Sequence, residues 1–536
     1  MKSFKLNLLL LAFISLFSCK ESLLDEVPLD FFSPENAYIT DKQFELAVNE
    51  LHRYVRDNIY WESDGAVFWA LFHGTDQAYN PESLYTGAFA DYSLITSGYW
   101  WFQYYYRQYF NLISKANTII SRANSSSAQI SSETLKNKII AEARFFRGYG
   151  YRCLAHLYGG VPKIDYEISS PKKDFVRASR KEIYELCRDD FEFASKNLPE
   201  DGPGKGELIQ GVAYHFLSEI YISLNEFDKA IEAASVVIDD PKFKLMTERF
   251  GVKKDVEGDV FWDLFRKGNV NRCDGNFETI WAIQYEYNQL GGNNSNLAWM
   301  GYAAERAWGP RYWTLKDPDG NQGTVECDSL GRGASWVRPT YYAHTLVFSD
   351  DWNDMRNSRY NMKREFYYNN PSSSYYGKKI ETLYNEADTL MAYYPYIMKV
   401  TDWPHDGNFA QAQVFRDVAL VRLSETYLLR AEAYLDKGDK INAARDINVI
   451  RSRAHAQPVD PNNVDIDYIL DERTRELLTE EFRQITLCRL GKLYERTKKY
   501  NPIAGSTVKP HNNLWAIPQA EIDLNTDAEL SQNEGY

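Results

Sequence analysis

Three stretches of the chain bring aromatic rings together with amide, carboxylate and guanidinium side chains: GYWWFQYYY at 98–106, MGYAAERAWGPRYW at 300–313 and GASWVRPTYY at 333–342. That mixture suits the holding of a sugar. The axial C–H groups of a pyranose pack on a flat indole or phenol ring, and the hydroxyls at its edge exchange hydrogen bonds with Asp, Asn, Arg and Gln. Trp100, Trp101, Trp299, Trp308, Tyr312, Trp313 and Trp336 are the candidate rings. Any one tryptophan more often fills the core of its own region, because tryptophan is highly buried on average. The cluster therefore counts for more than a member.

Other chemistries leave no comparable mark. Glycoside hydrolysis needs two carboxylates about 5–10 Å apart in an aromatic cleft. With 75 acidic residues in the chain, an adjacent pair such as Glu480 and Glu481 identifies nothing. No HExxH or GxSxG pattern occurs. In GPGKGE at 202–207, Lys205 is followed by Gly206 where a phosphate loop has Ser or Thr, so the stretch reads as a flexible connector. A formal net charge of −14 disfavours nucleic acid and anionic membrane as ligands. Besides Cys19 there are Cys153, Cys187, Cys273, Cys327 and Cys488, an odd set without CxxC spacing. This argues against a disulfide framework or a zinc site, and most are expected to be buried thiols.

The elements that must position the rings are helical. In 416–491, apolar residues at Leu420, Leu423, Tyr427, Ala431 and Tyr434 mark one buried helical stripe. Gly438 breaks it and Ala443, Ile447 and Ile450 restart it, which is the pattern of a tetratricopeptide-type hairpin. One hairpin cannot bury its own stripe. A second is expected over 211–242, with Tyr214, Leu217, Ser218, Tyr221, Phe227 and Ala230 at the same spacing. Ser33-Pro34-Glu35 has the form of a helix start, and Thr40 with Gln43 forms a capping-box pattern ahead of Phe44, Val48, Leu51 and Val55. Further helices are expected over 102–122, in 141–164, and after the capping box Ser179 to Glu182. Between 290 and 410, Gly, Asn, Asp, Pro, Tyr and Trp dominate and helical period is weak, so long loops with a few short strands are expected there. None of the 13 tryptophans falls in 102–261 or 404–514. The fold class read from this is mainly α: a tetratricopeptide-like helical-hairpin scaffold with a loop-rich, aromatic-rich central region.

The polar residues on this scaffold carry a resemblance. Arg422, Glu425, Leu428 and Ala431-Glu432-Ala433, then Asn448, Ile450, Arg451, Arg453 and Ala454, then Glu472, Arg473, Glu476, Leu477 and Arg483 are spaced as in one known family. Ala141-Glu142-Ala143, Arg147, Tyr151 and Leu157 through Pro162 match its N-terminal helix, and Leu514 through Pro518 with Gln532 through Tyr536 match its terminal signature. The chain thus resembles the SusD/RagB outer-membrane lipoproteins of Bacteroidetes. By spacing, Glu432, Asn448, Arg451, Glu476 and Arg483 are scaffold, since polar helix neighbours three or four apart can pair and buried ones need partners. Asp354-Met355-Arg356 matches a family D-x-R and is expected to be structural, as Trp515 is expected to be a packing residue.

The N-terminus fits the resemblance. MKSFKLN carries Lys2 and Lys5 ahead of about a dozen apolar residues, too short for the about 20 of a spanning helix, and reads as a signal peptide over 1–18. Ser18-Cys19 resembles a lipobox, which makes Cys19 the expected lipidation site and 19–32 a tether; its charged residues Lys20, Glu21, Asp25 and Glu26 resemble a surface-export segment. An N-terminal helical region is then expected over 33–260. A second region follows over 261–536, loop-rich at 261–415, helical at 416–500 and a tail at 501–536. The resemblance implies a cell-surface protein that binds oligosaccharide without catalysis and sits as a lid on a SusC-like TonB-dependent transporter. No cofactor or metal is implied. It also implies a ligand site built from Asp76, Trp100, Trp101, Trp299, Trp308, Tyr312, Trp313 and Trp336. A peptide-binding RagB-like uptake protein and an all-helical glycoside hydrolase are the alternatives.

Overall fold

The computed structural model describes residues 37–60, 68–83, 87, 89–286, 304–383, 388–402 and 416–536. The expected signal peptide, Cys19 and its tether, the Ser33-Pro34-Glu35 start and Trp299 lie outside the described residues.

Helix α1 (Asp41–Asn58) opens on the capping box of Thr40 and Gln43, and buries Phe44, Val48, Leu51 and Val55 on one face. Next come α2 (Trp100–Ala123), α3 (Glu133–Tyr158) and α4 (Arg180–Asn197). The Ser132 hydroxyl accepts a bond from the Leu135 N–H at the start of α3, and Ser179 with Glu182 forms the capping box of α4. Helix α2 starts at Trp100, two residues earlier than its apolar period indicates. Helices α5 (Gln210–Ser223) and α6 (Phe227–Ile238) form one short-turn pair, and α7 (Leu423–Asp436) and α8 (Lys440–Arg453) another. The pairs meet through Arg430 of α7, which donates to Asp446 of α8 at 2.7 and 2.9 Å and to Ser235 of α6 at 2.9 Å. Helices α9 (Ile466–Leu477), α10 (Arg483–Leu490) and α11 (Leu493–Tyr500) follow.

The strands are short and pair antiparallel: β1 (Ala78–Tyr79) with β3 (Arg338–Pro339), β2 (Thr279–Ile283) with β6 (Val418–Arg422), and β4 (Met362–Lys363) with β5 (Tyr396–Ile397). Leu420, expected at the head of a helical stripe, lies on β6 instead. The β-branched Val418 and Val421 pair with Ile283 and Trp281, and the helix starts only at Leu423, whose N–H bonds the Glu278 carbonyl at 2.8 Å. The 202–207 stretch is also corrected, from flexible connector to pinned loop. The Glu207 carboxylate accepts from the Gly204 and Lys205 N–H groups at 2.5 and 2.7 Å. Gly206, at φ +83, approaches β2 so closely that a Cβ would lie 2.3 Å from the Ala282 carbonyl oxygen.

One hydrophobic core holds residues from Phe44 to Leu530, so N-terminal and C-terminal helices share it. Trp281 packs edge-on to Phe145, Tyr149 and Phe216, and Trp515 stacks on Phe89 and Phe102 as a packing residue. Cys153, Cys187 and Cys488 are buried thiols, whereas Cys273 is exposed. Beside this apolar mass lies a charged one. Arg356 pairs with Asp354, Glu472 and Glu476, all buried, and Arg422 and Arg453 add to Glu476 and Glu278. The family-type polar residues are thus scaffold: Asn448 bonds the Val459 backbone on both sides, and Glu432 is held by Arg489 at 2.6 and 2.7 Å.

Burial pushes the Glu472 carboxyl up, but Arg356, Arg475 and Arg451 outweigh it and hold the group at about 2, below its ordinary 4.5. A depressed carboxyl stabilises the fold above its unfolded value, and that stability is lost as pH falls through the folded value. Resistance to denaturant is expected to fall as pH drops from about 4.5 to about 2. Glu472→Gln should lower stability at neutral pH by about 3–5 kcal/mol and flatten that acid slope.

Candidate functional site

The first aromatic stretch is placed by α2. No side chain caps this helix; the Tyr99 carbonyl takes the Phe102 N–H at 3.1 Å, the Tyr99 hydroxyl accepts from the Phe89 N–H at 2.9 Å, and the Gln519 N–H bonds the Ser97 carbonyl at 2.9 Å. The first turn is thereby fixed from three sides. On it Trp100 is 51% exposed, and Tyr104, four residues on, shares its helix face. Their ring centroids lie 5.2 Å apart at 30°, and half-buried Trp101 meets Trp100 edge-on at 4.6 Å. The Tyr104 hydroxyl donates to the Asn58 carbonyl at 3.0 Å, which locks the backing ring. Arg107, exposed one turn further along, sits 3.8 Å from Glu521, and the Ser97 hydroxyl lies 3.1 Å from the Gln519 amide oxygen. This is an exposed indole packed on two further rings, with Arg107 on the same helix face and Ser97 just ahead of the helix.

The other described candidate rings lie on 304–339. There 334–337 runs against 306–309 through N–H bonds of Ala334, Ser335 and Val337 to the carbonyls of Arg306, Gly309 and Ala307, at 2.7, 2.9 and 2.8 Å. The crossing needs Gly333, where a Cβ would come within 2.3 Å of Gly309 backbone. Trp336 is half-buried, tilted on Trp69 at 4.7 Å, with the Arg306 guanidinium 4.9 Å over its ring. Trp313 is half-buried too; its N–H donates to the Gly333 carbonyl at 3.0 Å and Arg332 lies 5.0 Å over it. Trp308 and Tyr312 are buried. Trp308 stands edge-on to Phe72 at 5.2 Å, and the Tyr312 hydroxyl donates to the Gly331 carbonyl at 2.8 Å and accepts from the Cys327 N–H at 2.9 Å. They are wall, not face.

Asp76 is also interior. Its Oδ1 accepts from Arg483 Nε at 2.9 Å, and its Oδ2 from Arg483 Nη2 at 2.7 Å and Arg496 Nε at 2.9 Å. Burial pushes this carboxyl up, but the two guanidinium groups outweigh it and hold it below the usual carboxylate range. Both oxygens are therefore spent on the fold. Glu480 and Glu481 are likewise taken up, by Arg422 and Lys399 and by Arg473.

Phe72, beside Trp308, meets Phe482 at 5.7 Å, and Phe482 in turn stacks on Tyr60 at 4.6 Å. Trp69, Arg306 and Arg332 complete the second region and were not singled out in the sequence. Trp69 is one more apolar residue in FWAL, and only its place among the tryptophans outside the helices marks it. Clefts among the described residues lie elsewhere. One of about 500 Å³ runs between α1 and α3 beside His52 and Glu142, and one of about 430 Å³ lies beside α2 at Phe110 and Ile164. The candidate rings line neither.

Two family models match the chain, one described as SusD family over residues 277–536 and one described as "Starch-binding associating with outer membrane" over residues 69–222. The chain belongs to the SusD family. SusD-like protein P2 of Formosa agariphila is 23% identical over 539 residues, covering 98% of this chain and 95% of that relative. Starch-binding protein SusD of Bacteroides thetaiotaomicron is 36% identical over 148 residues, 26% of each chain. Among solved structures, a laminarin binding SusD-like protein superposes with a TM-score of 0.67 at 18% identity, covering 93% of this chain and all 100% of its own. A SusD homolog from Bacteroides thetaiotaomicron superposes at 0.70 with 17% identity, covering 94% and 98%. These likenesses to solved structures are of fold.

The division between wall and face is measurable. Trp308→Ala is expected to cost about 3–5 kcal/mol of unfolding free energy, as for a large core aromatic. Trp100→Ala should change it by less than about 1 kcal/mol in the same denaturant titration.

Proposed function

We propose that this SusD-family chain is a lipoprotein anchored through Cys19 on the outer face of the outer membrane. There it binds oligosaccharide without catalysis and delivers it to a SusC-like TonB-dependent transporter. The hairpins over 210–238 and 423–453 are read as tetratricopeptide-like, one in each of the two regions 33–260 and 261–536. The observation that carries the reading is the Trp100 platform, an exposed indole packed on Tyr104 and Trp101. Trp313 and Trp336, with Arg332 and Arg306 stacked on their rings, are proposed as its second region, and Trp299 as a further contact. Asp76, Trp308 and Tyr312 act in this reading by holding the rings from behind.

Two relatives support the ligand class, one a starch-binding protein and the other a laminarin binding protein. The exposure of Trp100 supports it as well, because an uncovered ring can stack on one sugar of a longer chain. A molecule that must be handed on is best held loosely. A dissociation constant near about 1 mM corresponds to about −4 kcal/mol, within reach of a few stacked rings at about 0.5–1.5 kcal/mol each plus edge hydrogen bonds.

Titration of the soluble protein, truncated after Cys19, against oligosaccharides and peptides tests this, with each mixture assayed for new reducing ends. Saturable glycan binding without products is expected, weakened about tenfold by Trp100→Ala. Release of shortened sugars would replace the reading with a hydrolase, and saturation by peptides alone would replace the ligand class.

A further inference from the structure

Among the described residues two tryptophans expose more than half of their surface, Trp100 at 51% and Trp352 at 52%. A lone exposed apolar side chain needs no explanation. Trp352 is different because the fold holds it rigidly in water. It stands at the tip of the turn Asp351–Asp354, closed by the Asp354 N–H on the Asp351 carbonyl at 3.3 Å. Asp351 is tied to the Gln457 N–H at 2.6 Å and to the Asn353 N–H at 3.2 Å. The Trp352 carbonyl accepts from the Asn357 amide at 2.9 Å, and the Met355 N–H bonds the Ala454 carbonyl at 2.8 Å. The far end of the turn is Asp354, buried in a two-point pair with Arg356 at 2.9 and 2.6 Å. The D-x-R motif is thus the foundation of this turn.

The indole itself is clamped on one face. The Arg364 guanidinium lies 4.6 Å over the ring and is fixed by bonds to the His344 carbonyl and the Asn357 side-chain oxygen at 2.5 Å each. Half-exposure with one face covered leaves the other face to solvent. Ser349, Asp350 and Asn353 stand exposed nearby in the chain, and Tyr341, 61% exposed, packs edge-on to His344 at 5.8 Å. None of the groups that hold this ring also holds Trp100.

We infer that the Trp352 turn is a second sugar-binding point, which stacks one pyranose on its open face and takes edge hydroxyls on Asn353 and its neighbours. A preorganised ring loses little freedom on binding, which is what a rigid mount provides. The inference rests on the proposed carbohydrate role and adds bivalency to it. A polysaccharide long enough to reach both Trp100 and Trp352 is held at two points, whereas a short oligosaccharide is held at one.

The test uses the full mature protein with Trp352→Ala, Trp352→Phe and Trp100→Ala variants. The probes are laminarin, starch, their hexasaccharides and an array of plant, algal and animal glycans, read by affinity electrophoresis and calorimetry. Trp352→Ala is expected to weaken polysaccharide binding about three- to tenfold while hexasaccharide still binds at the Trp100 platform with its native affinity, with Trp352→Phe retaining most of the polysaccharide affinity. Trp100→Ala should weaken both. If Trp352→Ala binds polysaccharide like the native protein while Trp100→Ala does not, the second point is overturned and the first stands. Equal weakening toward hexasaccharide would overturn the separateness of the two points. Binding of the native protein to no glycan on the array would overturn the proposed function together with this inference.

Discussion

Everything on the surface of this protein depends on the way it buries charge. Asp76 meets Arg483 across 407 residues of chain and Arg496 across 420, with each carboxylate oxygen bonded. Glu476 plays the same part for Arg356, Arg422 and Arg453. Pairs of this kind lose several kcal/mol of hydration per ion and regain it only with near-ideal geometry. That requirement narrows the ways in which the helices can be assembled. The hydrophobic core alone would tolerate sliding of one helix past another by small amounts. An unpaired guanidinium at its centre would not.

The frame so defined explains the two kinds of aromatic residue. Trp281, Trp308 and Trp515 sit against the helices, where large flat rings fill the irregular gaps left between them. Trp100 and Trp352 stand on a helix start and a turn tip, where backbone direction changes and a side chain can be aimed outward. In both cases the exposed ring is positioned by bonds made to its backbone or to its backing residue, such as Tyr104 or Arg364, and not by burial of the ring.

Much of the frame was legible in the sequence because helical period, capping boxes and Gly438 are local signals. Thr40 with Gln43 and Ser179 with Glu182 do what their spacing indicates. Leu420 was misplaced because its apolar period continues smoothly into α7, while the partner that makes it a strand, β2, lies more than a hundred residues away. The loop at 202–207 has the composition of a flexible link, and only its contacts with β2 and Arg272 show otherwise. The site divided along the same line. Trp100 could be read as a ring at the head of a helix, but whether Trp308 faces solvent depends on Phe72, and Asp76 had the residue type of a sugar contact without a hint of its two arginines. Trp352 shows the converse, since its stretch is marked in the sequence only by the D-x-R that follows it.

The long sequence separation of the Asp76 partners also bears on the order of events during synthesis. As residues 37–260 emerge they carry Asp76 without its counter-charges, and α3 lacks the segment around Trp515 whose N–H bonds the Leu157 carbonyl at 2.7 Å. Contacts of such separation close slowly because the chain entropy lost in forming the loop precedes any reward. The contacts of Asp76 and Leu157 therefore cannot close until residues 483–515 have been made, so the amino-terminal helices complete their packing only when synthesis is nearly over.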